Sequence, residues 1–146
     1  MARFLIYPET DIKGIKKREG TAVYRVESCR GSDRACRSFA HPCKGVNEAG
    51  AKLVGVARAL QWIAKFPDKA DNIEIVTDSD YIGMGFYLMK TWKARDWKTS
   101  GGRRVANAEA WKTIEAETAG KAVEIRITKR EACRHLRELH AAVAKE

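Results

Sequence analysis

Apolar and polar positions along the chain fall into runs of different period, and each period predicts an element. Arg3 to Tyr7 is short and almost continuously apolar, the pattern of a central strand buried on both faces. From Thr21 to Cys29, Ala22, Tyr24 and Val26 alternate with Val23, Arg25 and Glu27, a period of two that predicts a second strand. The polar cluster Arg30 to Arg34 then turns the chain into a third strand around Cys36 to His41, making a hairpin. After that the period lengthens. Leu53, Val56, Leu60 and Ile63 recur at intervals of 3, 4 and 3 residues and form one helical stripe, with Asn47 as its N-cap and Pro67 as its stop.

The second half repeats these signals. Asn72 to Thr77 is an apolar strand with Asp78 at its carboxyl end, and a helical segment follows from about Ser79 to Lys90 with Ile82, Phe86 and Met89 inward. Lys90 to Arg104 is basic, bears tryptophans and holds Gly101-Gly102 near its end. A helix over Asn107 to Glu117 carries Trp111 and Ile114, and Val123, Ile125 and Ile127 alternate with Glu124 and Arg126 in a last strand. The chain closes with a helix burying Ala132, Leu136, Leu139 and Val143. The order βββαβααβα predicts a single α/β domain over residues 1–146, with a mixed five-stranded sheet flanked by helices.

Composition narrows the classes. A chain of 146 residues buries enough surface to fold without disulfides or a structural metal. No stretch approaches the roughly 20 apolar residues that span a bilayer. The N-terminal apolar run breaks at Pro8, too early for a signal peptide, so a cytoplasmic protein with reduced cysteines and no membrane partner is expected. Lys and Arg number 28 against 19 Asp and Glu, a net charge of +9, which favours polyanionic partners. Cys29, Cys36, Cys43 and His41 crowd around the hairpin and raise a zinc reading, but cysteine spacings of seven fit no Cys-x-x-Cys framework. Ordinary reduced cysteines are the expectation, with His135 and His140 as surface residues of the last helix.

Catalysis in α/β sheets sits at the carboxyl ends of parallel strands, and two acids occupy such ends: Glu9 after the first strand and Asp78 after the fourth. Two readings are open. If the strands are neighbours the carboxylates converge, either to hold Mg²⁺ or to be neutralised by basic side chains. Alternatively, Asp78 is an exposed cap on the helix that begins at Ser79.

Thr77-Asp78-Ser79-Asp80-Tyr81, then Trp92-Lys93-Ala94-Arg95-Asp96-Trp97-Lys98-Thr99, then Val105-Ala106-Asn107-Ala108-Glu109-Ala110-Trp111, closely resemble ribonuclease HI, and the element order agrees. The resemblance implies a ribonuclease H fold and a nuclease that cleaves the RNA strand of an RNA–DNA hybrid. It implies two Mg²⁺ ions held by four carboxylates, on the first strand, the first helix, after the fourth strand and on the last helix, which together stabilise an in-line displacement.

Position by position, this chain departs from that set. The first-strand position is Glu9, the helix position Lys52, the post-strand position Asp78 and the last-helix position Arg137. The loop before the last helix shortens to Lys129-Arg130-Glu131-Ala132, without the family's His. Glu9, Asp78, Lys52 and Arg137 sum to zero charge where the family carries −4. Unit charges about 4 Å apart interact by about 4 kcal/mol at an effective dielectric of about 20, so Mg²⁺ beside one ammonium meets roughly 8 kcal/mol of repulsion. Lys52 and Arg137 are therefore expected to fill the metal space, pairing with Asp78 and Glu9, with no cofactor. The competing reading rebuilds the site: Glu48 lies one turn before Lys52, and a helix shifted by a turn would let Glu9, Glu48 and Asp78 hold Mg²⁺ or Mn²⁺. Asp11, Asp80 and Glu138 are also near, though Glu138 lies about 100° around the helix from Arg137. An acid in a first helical turn is favoured by the dipole whatever its function.

The binding surface is better kept. Lys90, Lys93, Arg95, Lys98, Arg103 and Arg104 surround Trp92 and Trp97, with Asp96 the one acid. In ribonuclease HI the matching segment is a protrusion that grips the DNA strand, and Asn107 matches a position at the hybrid's minor groove. Cations neutralise phosphates while aromatic rings pack on sugars or bases. The tryptophans are open to a second reading, as supports for the protrusion, which is the preferred one for Trp111. Lys13, Lys16, Lys17 and Arg18 form a further basic cluster, flanking the same groove or simply solvated. The sequence thus reads as a ribonuclease H-like protein that binds RNA–DNA hybrid or a similar duplex and has lost the two-metal site, a pseudoenzyme. Its rivals are an active metal-dependent ribonuclease H with a rearranged acid set, and a protein-interaction module on the same fold.

Overall fold

In the computed structural model, residues 2–30, 32–65 and 72–128 are described. They form strands β1 (Ala2–Thr10), β2 (Arg18–Arg30) and β3 (Asp33–Val46), helix α1 (Glu48–Ile63), strand β4 (Asn72–Thr77), helices α2 (Asp80–Ala94) and α3 (Ala108–Thr118), and strand β5 (Ala122–Ile127). The expected last helix, with Arg137, Glu138, Cys133, His135 and His140, lies outside the described residues, as do Pro67 and the Lys129–Ala132 loop.

The sheet order is β3-β2-β1-β4-β5. β1 is central, as its double-sided apolarity requires: it pairs antiparallel with β2 and parallel with β4. Phe4 and Ile6 face the core under α1, while Leu5 and Tyr7 join Val23 and Val76 on the other face. The α1 stripe of Leu53, Val56, Leu60 and Ile63 is buried against the first of these faces, each side chain contributing about 1.5–3 kcal/mol. α3 adds Trp111 and Ile114 to the same core.

Three expectations about element ends are corrected. β1 runs to Thr10, so Glu9 lies within the strand rather than after it. β2 and β3 pair from Arg18↔Val46 to Arg30↔Asp33, well beyond the expected hairpin. Gly20, Pro42 and Gly45 argue against a strand there, but the paired backbone overrides propensity, and proline is tolerated because β3 is an edge strand. α2 continues through Trp92 to Ala94, so the first part of the expected protrusion is the last turn of a helix.

Cys43 separates from Cys29 and Cys36, which share a face of the sheet. On the paired strands Cys43 sits opposite Gly20, whereas Cys36 sits opposite Glu27, an odd number of residues apart along β3 and so on the other face. Cys43 is buried and Cys36 exposed, and among the described residues no zinc ligand set is gathered.

Candidate functional site

The site is assembled where β1, β4 and α1 meet. β1 and β4 run parallel with Arg3 opposite Asn72 and Ile6 opposite Ile75, and continuing that register sets Glu9 level with Asp78. Glu9 is fully buried and its Oε1 accepts from the Thr10 backbone N–H at 3.0 Å. Asp78 does not cap α2. Ser79 does, its hydroxyl accepting from the Ile82 N–H, which leaves the Asp78 carboxylate for another partner.

That partner is Lys52, whose side chain is only 3% exposed. Its Nζ donates to Asp78 Oδ1 at 2.7 Å and to Glu48 Oε2 at 3.3 Å, and stands 3.9 Å from Glu9 Oε1. An ammonium has three donors and costs several kcal/mol to bury, so three carboxylates around it are a chemically matched shell. Packing dictates the placement: Lys52 belongs to the inward face of α1, between Ala51 and Leu53, and cannot turn to solvent without unseating the stripe.

Glu48 reaches the cluster from its place in the first turn, so no helix shift is needed to bring it there. The Gly14 N–H donates to Glu48 Oε1 at 2.9 Å, and the Glu48 N–H donates to the Gly14 carbonyl at 3.1 Å. This clasp ties the β1–β2 loop to the start of α1, and Gly14 adopts the left-handed φ of 79° that glycine tolerates. Burial pushes the Glu48 carboxyl up, but the Gly14 N–H and the Lys52 and Lys13 ammonium groups outweigh it and hold the group below its ordinary 4.5. Gly14, Ile15, Asn47, Glu48, Lys52 and Asp78 line an open recess of about 290 Å³.

As placed, the described residues gather around an ammonium rather than around open metal positions. Mg²⁺ needs carboxylate oxygens at about 2.0–2.1 Å turned on a shared point, and here that point is held by the Lys52 ammonium.

The protrusion follows α2. After Arg95, Asp96 and Trp97 take left-handed φ values of 55° and 61°, the Trp97 N–H bonds to the Trp92 carbonyl at 2.7 Å, and Lys98 pairs with Arg104 across a short bridge. Lys90, Lys93, Arg95, Lys98, Arg103 and Arg104 are all exposed. Lys93 is paired with Glu115 at 3.0 Å and Arg104 with Glu109, so two of the six are partly neutralised by α3. Of the two readings of the tryptophans, the packing favours support: Trp97 is a core residue, and half-buried Trp92 packs edge-on against the fully buried Trp111 at 5.6 Å. They hold the protrusion in place, leaving its charge as the surface feature.

Asn107 is half-buried at the start of α3 in a left-handed conformation (φ 58°), without a capping hydrogen bond from its side chain. Its Nδ2 instead donates to the Tyr81 hydroxyl at 3.0 Å, which also receives the Trp111 indole N–H at 3.1 Å. Tyr81 was legible only as part of the Thr77–Tyr81 motif, because its role depends on two residues 26 and 30 positions away.

A sequence profile of the RNase H family matches residues 13–130. A ribonuclease H from Marinobacter nauticus is 41% identical over 69 residues, 47% of this chain and 44% of its own length. A ribonuclease HI from Caulobacter vibrioides is 37% identical over 103 residues, 70% of this chain and 66% of its own. The matched stretches thus span less than two thirds of either relative. Among solved structures, LC9-RNase H1, described as a type 1 RNase H with the type 2 active-site motif, superposes with a TM-score of 0.78 at 21% identity, over 99% of this chain and 72% of that one. LC11-RNase H1 in complex with RNA/DNA hybrid superposes at 0.61 and 17% identity, over 97% of each. Strand order, the position of the carboxylates and the profile match agree, and the chain belongs to the RNase H family.

Proposed function

We propose that this chain binds RNA–DNA hybrid without cleaving it, because a lysine replaces the metal ions at the centre of its carboxylates. The observation that carries this reading is the Lys52 Nζ–Asp78 Oδ1 hydrogen bond of 2.7 Å. It commits the acid kept at the family's post-strand position to an internal cation. The solved LC11-RNase H1 complex with RNA/DNA hybrid supports the choice of duplex. Lys90, Arg95, Lys98 and Arg103 would meet one strand's phosphates, and Asn107 would face the minor groove. Arg137 belongs to the same reading as the second base in an acid's place.

One observation favours the rival: Glu9, Glu48 and Asp78 still converge, so a rearranged acid set exists in outline. The two are separated by incubating end-labelled hybrid with the full chain in Mg²⁺ or Mn²⁺. The expected outcome is retarded but uncut hybrid. Chelator-sensitive cleavage at catalytic protein concentrations would establish the active reading in its place. No retardation of any duplex, together with no cleavage, would point to the protein-interaction module.

A further inference from the structure

A second basic surface lies apart from the protrusion, on the α1 side of the sheet edge. Tyr24 of β2 and Phe39 of β3 are cross-strand partners whose rings stack at 5.1 Å, and Trp62 of α1 leans on Phe39 at 5.3 Å. The Arg37 guanidinium covers the Phe39 ring at 5.3 Å. Trp62 forms a ridge between two recesses. One, of about 370 Å³, is lined by Tyr24, Phe39, Arg58, Gln61, Trp62 and Lys65. The other, of about 250 Å³, is lined by Val26, Ser28, Ala35, Cys36, Arg37 and Trp62. Among the described residues neither lining includes a carboxylate, while Arg37, Arg58 and Lys65 are exposed around half-buried Phe39 and Trp62. On the protrusion, by contrast, Lys93 and Arg104 are paired with Glu115 and Glu109.

We propose that this shelf binds an extended single strand of nucleic acid, with bases seated beside Trp62 and phosphates on Arg37, Arg58 and Lys65. A duplex cannot use the shelf in this way, because its base faces are already stacked on one another. A single strand offers both halves of the match: a π-face on every base and a phosphate on every nucleotide. An acidic peptide would satisfy the cations but has no use for an aromatic ridge between two recesses. Trp62 lies ten residues along α1 from Lys52, about 15 Å away. The shelf requires no duplex to be present.

The test uses the full chain and a fluorescein-labelled single-stranded oligonucleotide of about 12 nucleotides, within the size such sites cover. Anisotropy titrations at low salt compare the parent with Arg37→Gln/Arg58→Gln/Lys65→Gln and with Trp62→Leu. The triple variant changes only exposed side chains and serves if Trp62→Leu loses its fold. Expected are a tenfold or greater loss of single-strand affinity in the triple variant and about fivefold or more in Trp62→Leu, with blunt hybrid bound as by the parent. Unchanged single-strand affinity in the triple variant would overturn the proposal. So would displacement of the oligonucleotide by polyglutamate as effectively, charge for charge, as by unlabelled strand. An equal loss on blunt hybrid would assign the shelf to the duplex instead. Because the single strand is assayed alone, failure to bind hybrid leaves this result readable.

Discussion

Lys52 is the residue on which the character of the site turns. Its ammonium is buried among Glu9, Glu48 and Asp78, so replacing it with Met keeps the volume and leaves three carboxylates facing one another. Removing one partner of a buried ionic cluster costs about 3–5 kcal/mol, and urea unfolding of Lys52→Met at pH 7 is expected to show a loss of that order. The deficit should narrow as pH falls through the carboxylate range, since protonation removes the repulsion that the ammonium had answered. An unchanged midpoint would mean the cluster is open to solvent. Cys43 is a second residue-scale case. Burial pushes its thiol up, helped by Asp11 and opposed by a backbone hydrogen bond from Ala22 and by Arg58. The thiolate is the reactive form, so at pH 8 iodoacetamide should modify exposed Cys36 well before Cys43. Peptide mass spectrometry over time checks the order, and equal rates would contradict the face assigned to Cys43.

Among the elements, α2 and α3 show why local propensity is an incomplete guide. Gly85 sits in the interior of α2, where Ala is ordinarily favoured by about 1 kcal/mol. A Cβ there would come within 2.0 Å of the six-membered ring of Trp111, which is fully buried and held by its indole hydrogen bond to Tyr81. Gly85→Ala is therefore expected to destabilise the fold by about 2–3 kcal/mol in urea titration, overpacking outweighing propensity. A stabilised variant would show that α2 and α3 are not in this contact. The same contact explains how the protrusion keeps its shape: Trp92 and Trp97 run from it into the core that Trp111 fills.

At the scale of the whole molecule, a net charge of +9 is divided among distinct surfaces. The protrusion exposes six cations, of which Lys93 and Arg104 are paired with acids of α3, and the proposed reading assigns Lys90, Arg95, Lys98 and Arg103 to phosphates. Neutralising four phosphates gives a slope of about −3 to −4 in log affinity against log salt. Lys98→Gln/Arg103→Gln should reduce its magnitude by about 2 and weaken binding alike for different hybrid sequences. A slope that does not respond would move hybrid binding away from the protrusion, to surfaces such as the exposed Lys13–Arg18 loop.

The sequence by itself determined the order of elements, the central place of β1 and the α1 stripe, because hydrophobic period reports directly which face is buried. It also set the charge conflict at the site, since lysine stands where the resemblance implies an acid. Tertiary structure decided what one-dimensional pattern does not encode. Pairing between strands carried β2 and β3 through Gly20 and Pro42 and drew Glu9 inside β1. Packing sent Trp97 into the core and half-buried Trp92 beside it. The choice for Asp78 between capping a helix and meeting a cation depended on Ser79 taking the cap and on α1 delivering Lys52 to within 2.7 Å. Contacts of that kind join residues 26 or more positions apart, and their energies come from burial and distance, which exist only once the chain is folded.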